Sequence, residues 1–440
     1  MSTIFDAVYG TALVCGSPYF FLKLILSERY RSGITQRLGW LETREGKNPC
    51  IWIHGASVGE ILTVKALVKS IEKEFNNLDI VISTNTNTGL SVAEKCFDGK
   101  KIFYFPLDLT WVVDRVLKAI NPAYVILVEL EIWPNFLMAV IKKHIPVILV
   151  NARISEKSLK WYRVLCKISK GFFGSLTNKE NVFCSRTEND TTRLKNLGIP
   201  EMQIFTTGNM KFDNIVTAVS EDTRERLLCL FEISQDDKVV VCGSTHEGEE
   251  VILLRIFKQI RTKVDKLRLV LVPRHIERVS EVMKEVESAG LRCVRKTALD
   301  KGNKIGEHEH KYETVILVDT VGELLNIYSI ADCVFVGRSL VPQGGQNMME
   351  PAGLAKPIIV GPHTFNFNEE VQLLRDADAI KIVLDESSLL NELMYLLEHP
   401  YEAQELGKRA QSVVMKQRGA TERNLKVLRN ILMKERIVSV

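Results

Sequence analysis

Ile51-Trp52-Ile53-His54-Gly55-Ala56-Ser57-Val58-Gly59-Glu60 starts as a short β-branched run and ends in small residues. Ile61, Val64, Val68, Ile71 and Phe75 then fall at helical intervals. The spacing predicts a strand, a tight turn and a helix in direct succession. The same rhythm recurs at Ile80-Val81-Ile82, Ile102-Phe103-Tyr104, Tyr124-Val125-Ile126-Leu127 and Val147-Ile148-Leu149-Val150. Short apolar strands alternating with helical segments call for a parallel sheet covered by helices on both faces.

A second series begins at Val239-Val240-Val241. It continues through Leu269-Val270-Leu271-Val272, Val315-Ile316-Leu317-Val318, Cys333-Val334-Phe335-Val336 and Pro357-Ile358-Ile359-Val360. At 440 residues the chain is longer than one α/β core usually grows, so two Rossmann-like domains are expected. Gly208 to Val219 closes the first series and the polar Ser220 to Glu225 opens the second, which puts the boundary near 215. The expected domains are 31–215 and 216–440, behind a leading segment, 1–30. Ligands of doubly wound sheets bind beyond the carboxyl ends of the strands, and a cleft between two such domains is the expected site.

The leading segment holds sixteen uncharged residues, Ala7 to Leu22, with Phe20 and Phe21 near its end and Lys23, Arg29, Arg31, Arg37 and Arg44 behind it. It is short for a membrane span, which wants about 20 apolar residues. Asp6 precedes it and no basic residue does, which disfavours an exported signal peptide. An apolar helix lying in or on an anionic membrane surface fits the flanking cations, with the rest of the chain on the cytoplasmic side. A buried core helix is the alternative.

Composition narrows the function. The balance of 58 Lys+Arg against 54 Asp+Glu, without a basic stripe, gives no reason to expect nucleic acid as a partner. Nine cysteines without a CxxC pair, several inside apolar runs, suit a reduced cytosolic core rather than disulfides or zinc. Glu307-His308-Glu309-His310 lies in a polar run and is expected to be a solvated loop.

The polar residues of interest follow strands. Glu60 opens the first helix, where the helix dipole would favour its ionised form. A carboxylate beside an open loop is a candidate general base, and helix capping is the competing role. Glu129 and Glu131 follow the fourth strand just before Trp133-Pro134-Asn135, again with capping as the alternative. Lys211 is a cation near the domain boundary. In the second series, Gly243 to Glu249 follows a strand, Pro273-Arg274-His275 follows the next, and Arg is well shaped for a phosphate. Gly344-Gly345-Gln346-Asn347-Met348-Met349-Glu350 joins two glycines, a helix start and an acid, a pattern suited to a phosphate and to ribose hydroxyls.

His54 to Glu60, Glu129 to Asn135, Asn151-Ala152-Arg153-Ile154-Ser155, Gly208 to Asp213, Ser244 to Glu250, Pro273-Arg274-His275, Gly344 to Glu350 and Gly361-Pro362-His363-Thr364-Phe365-Asn366-Phe367 together resemble the 3-deoxy-D-manno-octulosonic acid (Kdo) transferases. Order and spacing match across nearly the whole chain. The resemblance implies a GT-B fold, CMP-Kdo as donor, the tetraacylated lipid A precursor as acceptor, an inverting reaction, and attachment to the cytoplasmic face of the inner membrane. By position, Glu60 looks like the base and Glu129 and Lys211 like transition-state supports. Pro273, Arg274, Gly322, Glu323, Asn347 and Glu350 look like the CMP site. The single displacement this implies asks for no metal or cofactor. The chain departs from the family pattern at Arg338, where a second glycine is common, and at Gln346, where a histidine is common.

Two other classes remain as alternatives. A GT-B enzyme using a UDP-sugar on another lipid-linked acceptor would share the fold. A nonenzymatic nucleotide-binding protein is the other. Its dinucleotide version is disfavoured because Gly55-Ala56-Ser57-Val58-Gly59 stands where GxGxxG would be needed.

Overall fold

The computed structural model describes residues 5, 6, 9, 11, 33–305 and 308–434. Most of the apolar run expected to associate with membranes therefore lies outside the described residues. Among those described, no helix is long and apolar enough to cross a membrane. The chain forms two compact units, Met1–Asn214 with Gln417–Val440, and Ile215–Lys416.

The first unit is a seven-stranded parallel sheet of β1 (Cys50–His54), β2 (Asp79–Thr84), β3 (Lys101–Tyr104), β4 (Tyr124–Val128), β5 (Val147–Ala152), β6 (Val182–Ser185) and β7 (Ile204–Thr206). Its order is β3-β2-β1-β4-β5-β6-β7. Side chains of β1 alternate between two cores. Cys50 and Trp52 join Phe103, Phe105 and Phe136 on one face, and Ile51 and Ile53 join the Val58–Glu74 helix on the other. Both faces are dry, which is why the strands read as continuous apolar runs.

The second unit repeats the design with β8 (Lys238–Thr245), β9 (Leu267–Pro273), β10 (Arg292–Arg295), β11 (Thr314–Leu317), β12 (Cys333–Val336), β13 (Ile358–Val360) and β14 (Lys381–Ile382). The order is β10-β11-β9-β8-β12-β13-β14, again with parallel pairing.

The chain's end departs from the expected division. The sequence reading assigned everything from 216 to 440 to the second domain, whereas the segment from Gln417 belongs to the first unit. Packing explains the return. In the helix Ala420–Lys434, Ala420, Leu425, Leu428 and Leu432 are buried in the same core as Ile61, Val64 and Leu67. Asp213 accepts the Gly419 N–H at 2.6 Å and also that of Thr421. Arg429 forms a two-pronged ion pair with Glu74, one prong at 2.7 Å.

Candidate active site

In the first sheet the chain starts at β1 and winds outward in both directions, so the loops after β1 and β4 diverge and leave space beyond their carboxyl ends. Glu60 and Glu129 come from these two loops. Ser57 caps the Val58–Glu74 helix with extended backbone, its Oγ accepting the Glu60 N–H at 3.4 Å. The Glu60 carboxylate folds back over the turn: Ala56 N–H donates to Oε2 at 2.8 Å and the Ser57 hydroxyl to Oε1 at 2.9 Å. Glu60 thus does take part in capping. It is also 9% exposed, and burial pushes its carboxyl up to about 7, reinforced by the charges of Glu129 and Glu131 and opposed by the Ala56 and Ser57 bonds. The expectation that the helix start would hold this acid ionised is therefore corrected: desolvation outweighs the dipole.

Glu129 extends the β4 ladder by one bond, its N–H donating to Val150 O at 3.0 Å, and then turns into the left-handed region at φ 61°. A non-glycine residue held there costs on the order of 1 kcal/mol, a strain that gathers at functional sites. Its Oε1 lies 2.8 Å from Lys211 Nζ. Lys211 sits in the 3-10 turn Met210–Asn214. That turn is pinned at its start: Asn151 Oδ1 at the end of β5 accepts the Met210 N–H at 2.9 Å, and Asn209 Oδ1 accepts the Lys211 N–H at 3.1 Å. The buried Asn151, itself at φ 54°, thereby fixes the cation's position.

The capping alternative for Glu129 and Glu131 is resolved by a different acid. The helix Pro134–Lys142 receives its cap from Asp108, which accepts the N–H groups of Asn135 at 3.0 Å and Phe136 at 2.7 Å. Burial raises the Asp108 carboxyl to about 6 despite these bonds. Nothing in the sequence spacing couples Asp108 to that helix, and so it was missed. Glu131 Oε2 instead accepts the Trp133 indole N–H at 3.1 Å and stands 3.8 Å from Nε2 of His54. His54 is fully buried, stacked on Phe105 at 3.9 Å, with Nδ1 held by Ser83.

In the second sheet β8 lies between β9 and β12, and the loops after β8 and β12 diverge in the same way. Glu249, fully buried, ties them together: it accepts N–H bonds from His246 at 3.0 Å, Arg338 at 2.6 Å, Ser339 at 2.9 Å and Leu340 at 3.0 Å. Four N–H donors on one carboxylate mark it as a structural tie. Arg338 has φ 60°, a left-handed backbone state that glycine adopts freely, and the arginine adopts it at a modest cost.

The expected nucleotide residues gather in part. Pro273 ends β9, and Arg274 follows with its N–H on Thr245 O at 3.0 Å. The Arg274 side chain is exposed and forms no ion pair among the described residues. Its charge nonetheless reaches Glu350, whose carboxyl is raised by burial and lowered by the Asn347 bond and by Arg274. Asn347 bridges the start of the helix Met349–Gly353, donating to Glu350 Oε1 at 3.0 Å and accepting the Met349 N–H at 3.1 Å. The glycine pair differs from expectation: Gly344 and Gly345 are left-handed, but the Gly345 N–H is already bonded to Arg338 O at 2.7 Å and is not free for a phosphate. Gly322, at φ 88°, and Glu323 lie together after β11. Glu323 is bonded by Thr320 and paired with the buried Lys296 at 3.0 Å, a partner the sequence reading did not foresee. Among the described residues, no cluster of His, Cys, Asp and Glu could hold a metal.

Among solved structures, the UDP-GlcNAc 2-epimerase of Neisseria meningitidis bound to UDP-GlcNAc shares the fold with a TM-score of 0.54, covering 88% of this chain and 100% of that one at 14% identity. Two parallel-sheet α/β units with polar loops at the carboxyl ends of their central strands define a protein of the GT-B-like class. The family model described as 3-deoxy-D-manno-octulosonic-acid transferase (kdotransferase) matches residues 32–214. The 3-deoxy-D-manno-octulosonic acid transferase of Haemophilus influenzae is 31% identical over 415 residues, covering 93% of this chain and 94% of its own. A protein of the same description from Chlamydia muridarum is 27% identical over 436 residues, with 98% and 97% covered. The chain belongs to the Kdo transferase family, a family of glycosyltransferases.

Proposed function

We propose that this protein transfers Kdo from CMP-Kdo to the tetraacylated lipid A precursor, with inversion, at the cytoplasmic face of the inner membrane. The observation that carries the reading is Glu60, a buried acid raised to about 7 and set near the charges of Glu129 and Glu131. An acid of that strength is matched to proton transfer near neutral pH.

Glu60 takes the proton of an acceptor hydroxyl, and the hydroxyl oxygen forms a bond to the anomeric carbon of Kdo. The bond from that carbon to the CMP phosphate oxygen breaks, and its electron pair leaves with CMP. One displacement inverts the centre. Positive charge grows on the sugar while negative charge grows on the leaving phosphate. Glu129 is suited to the first and Lys211 to the second, and their mutual ion pair supports a joint role. Pro273, Arg274, Gly322, Glu323, Asn347 and Glu350 form the donor site in this reading, with Arg274 on phosphate and Glu350 on ribose.

The test is mass spectrometry of the lipid formed from purified protein and the lipid A precursor, with CMP-Kdo or UDP-sugars offered separately. The expected product carries Kdo and forms only with CMP-Kdo. A hexose-bearing lipid formed from a UDP-sugar would replace this reading.

A further inference from the structure

A cavity of about 680 Å³ opens at the edge of the second sheet where its strands begin, and every residue that lines it belongs to the second unit. β8, β12 and β13 are neighbours in that sheet and run parallel. Lys238 starts β8, Asp332 precedes β12, and Lys356 and Pro357 precede β13, and all four line the cavity. Leu396 and Leu397 from the helix Glu386–Glu398 and Tyr401 from the helix Pro400–Gln417 complete it. Arg274, Asn347 and Glu350 follow the opposite ends of the strands, so this cavity is separate from the candidate donor site.

Its shape is fixed by close packing. A Cβ on Gly407 would fall 2.0 Å from Ala355 O, so glycine lets the helix Pro400–Gln417 approach the turn that carries Lys356. Gln411 donates to Gly353 O at 2.7 Å, and the Lys356 N–H is bonded to Pro351 O at 3.0 Å. Three lysines face one acid across the lining. That acid, Asp332, already accepts the Val239 N–H at 2.8 Å, and Lys408 is paired with Glu405 at 2.8 Å. Lys238 forms no ion pair among the described residues, and the Lys356 ammonium donates to a neutral oxygen, Ala331 O at 2.9 Å. Burial pulls that ammonium down to about 8, the Asp332 charge opposing the fall and the Arg224 charge adding to it.

We propose that this cavity binds a small phosphate monoester with an apolar or aromatic body, its phosphate on Lys238 and Lys356 and its body against Leu396, Leu397 and Tyr401. Two ammonium groups without a carboxylate partner match a dianion, and the positive end of an eighteen-residue helix beside them adds to the attraction. The volume is that of a small-molecule site, and the leucines and the exposed Tyr401 ring give the body an apolar seat. The site lies outside the transfer reaction and does not depend on it.

The test is calorimetry of the full chain with phenyl phosphate, with neither donor nor acceptor present. Lys238→Gln, at a position free of ion pairs, should weaken binding about tenfold or more with the thermal midpoint unchanged. Lys356→Met keeps the buried stem and should weaken binding likewise. An anion beside Lys356 restores its proton, so at pH 8 the parent should take up about half a proton on binding, read from buffers of different ionisation enthalpy, and Lys356→Met should take up none. Absence of binding, or affinity and proton uptake unaltered in both variants, overturns the proposal. So does binding that Arg274→Ala removes and Lys238→Gln leaves intact, which would put the phosphate at the other end of the strands.

Discussion

Lys211 Nζ lies 2.8 Å from Glu129 Oε1, and the two side chains come from loops 82 residues apart in the chain. Lys211 is 41% exposed, so the pair contributes at most about 1 kcal/mol to folding. Yet the fold commits a left-handed backbone at Glu129 and an asparagine tie at Met210 to bringing these charges together. Placement, rather than stability, is what the arrangement secures.

Lys211→Ala is accordingly expected to lower kcat roughly tenfold or more with little change in thermal midpoint. Glu129→Gln should do likewise, and should also move the acidic limb of the pH–rate profile to lower pH, because one of the charges raising the Glu60 carboxyl is gone. A lowered midpoint with kcat unaltered would make the pair a structural one.

The pH dependence follows from Glu60. A base must be ionised, so the rate should fall as pH drops through about 7. Stability moves the other way. The carboxyl is raised from an unfolded value near 4.5 to about 7, so the folded state binds the proton more tightly. The resulting stabilisation is complete below the unfolded value and is lost as pH rises through the folded one, an effect on the order of 1–3 kcal/mol. Urea titrations of parent and Glu60→Gln should diverge between about pH 4.5 and 7, the parent losing stability relative to the variant, and stay apart above it. Parallel curves at all pH values would mean that Glu60 is not desolvated in solution.

Arg274→Ala should weaken CMP binding by about 1.5 to 3 kcal/mol, the worth of a charge-assisted contact to phosphate. Arg274→Lys should restore only part of it, since the planar fork is lost. Calorimetry showing the parent affinity in the alanine variant would take Arg274 out of the donor site.

The return of the final helix can be tested by hydrogen exchange. Leu428 is fully buried in the core beside the Val58–Glu74 helix, and Leu428→Ala should cost about 2–5 kcal/mol there. Amides of β1 and of that helix should exchange faster, while those of β8 and β12 keep their protection. Faster exchange confined to the second unit would contradict the packing described.

Most of the strand framework was legible in the sequence because strands buried on both faces are continuous apolar runs. β1, β2, β4, β5 and the central strands of the second sheet announce themselves this way, and the edge strand β3 does so through Ile102-Phe103-Tyr104. β7, β10 and β14 do not: they are short and partly exposed, with Arg292, Arg295 and Lys381 among their residues, and β6 ends on the polar Ser185 after only three apolar residues. The last helix has ordinary amphipathic spacing, and no local pattern says which core it will join. Within the candidate site, the identities of Glu60, Glu129 and Lys211 could be read from loops that follow strands and from the family resemblance. Their couplings could not, since Asp108 as the distant cap, Asn151 as the tie to Met210 and Lys296 as the partner of Glu323 are set by tertiary proximity. Glu60's protonation was misjudged for a related reason: the helix dipole is visible in sequence, but the depth of burial is not.

The most direct measurement is Kdo transfer by Glu60→Gln, with CMP affinity and thermal midpoint recorded on the same preparation. The amide keeps the size of the side chain, its one oxygen can accept the Ala56 N–H while its NH2 donates to a reoriented Ser57 hydroxyl, but it cannot take the acceptor's proton. The predicted result is a loss of about 10² to 10⁴ in kcat, with CMP binding unchanged and the fold intact. Transfer at near the parent rate would contradict the assignment, leaving Glu60 as a helix-start residue and making Glu129 or Glu131 the leading base.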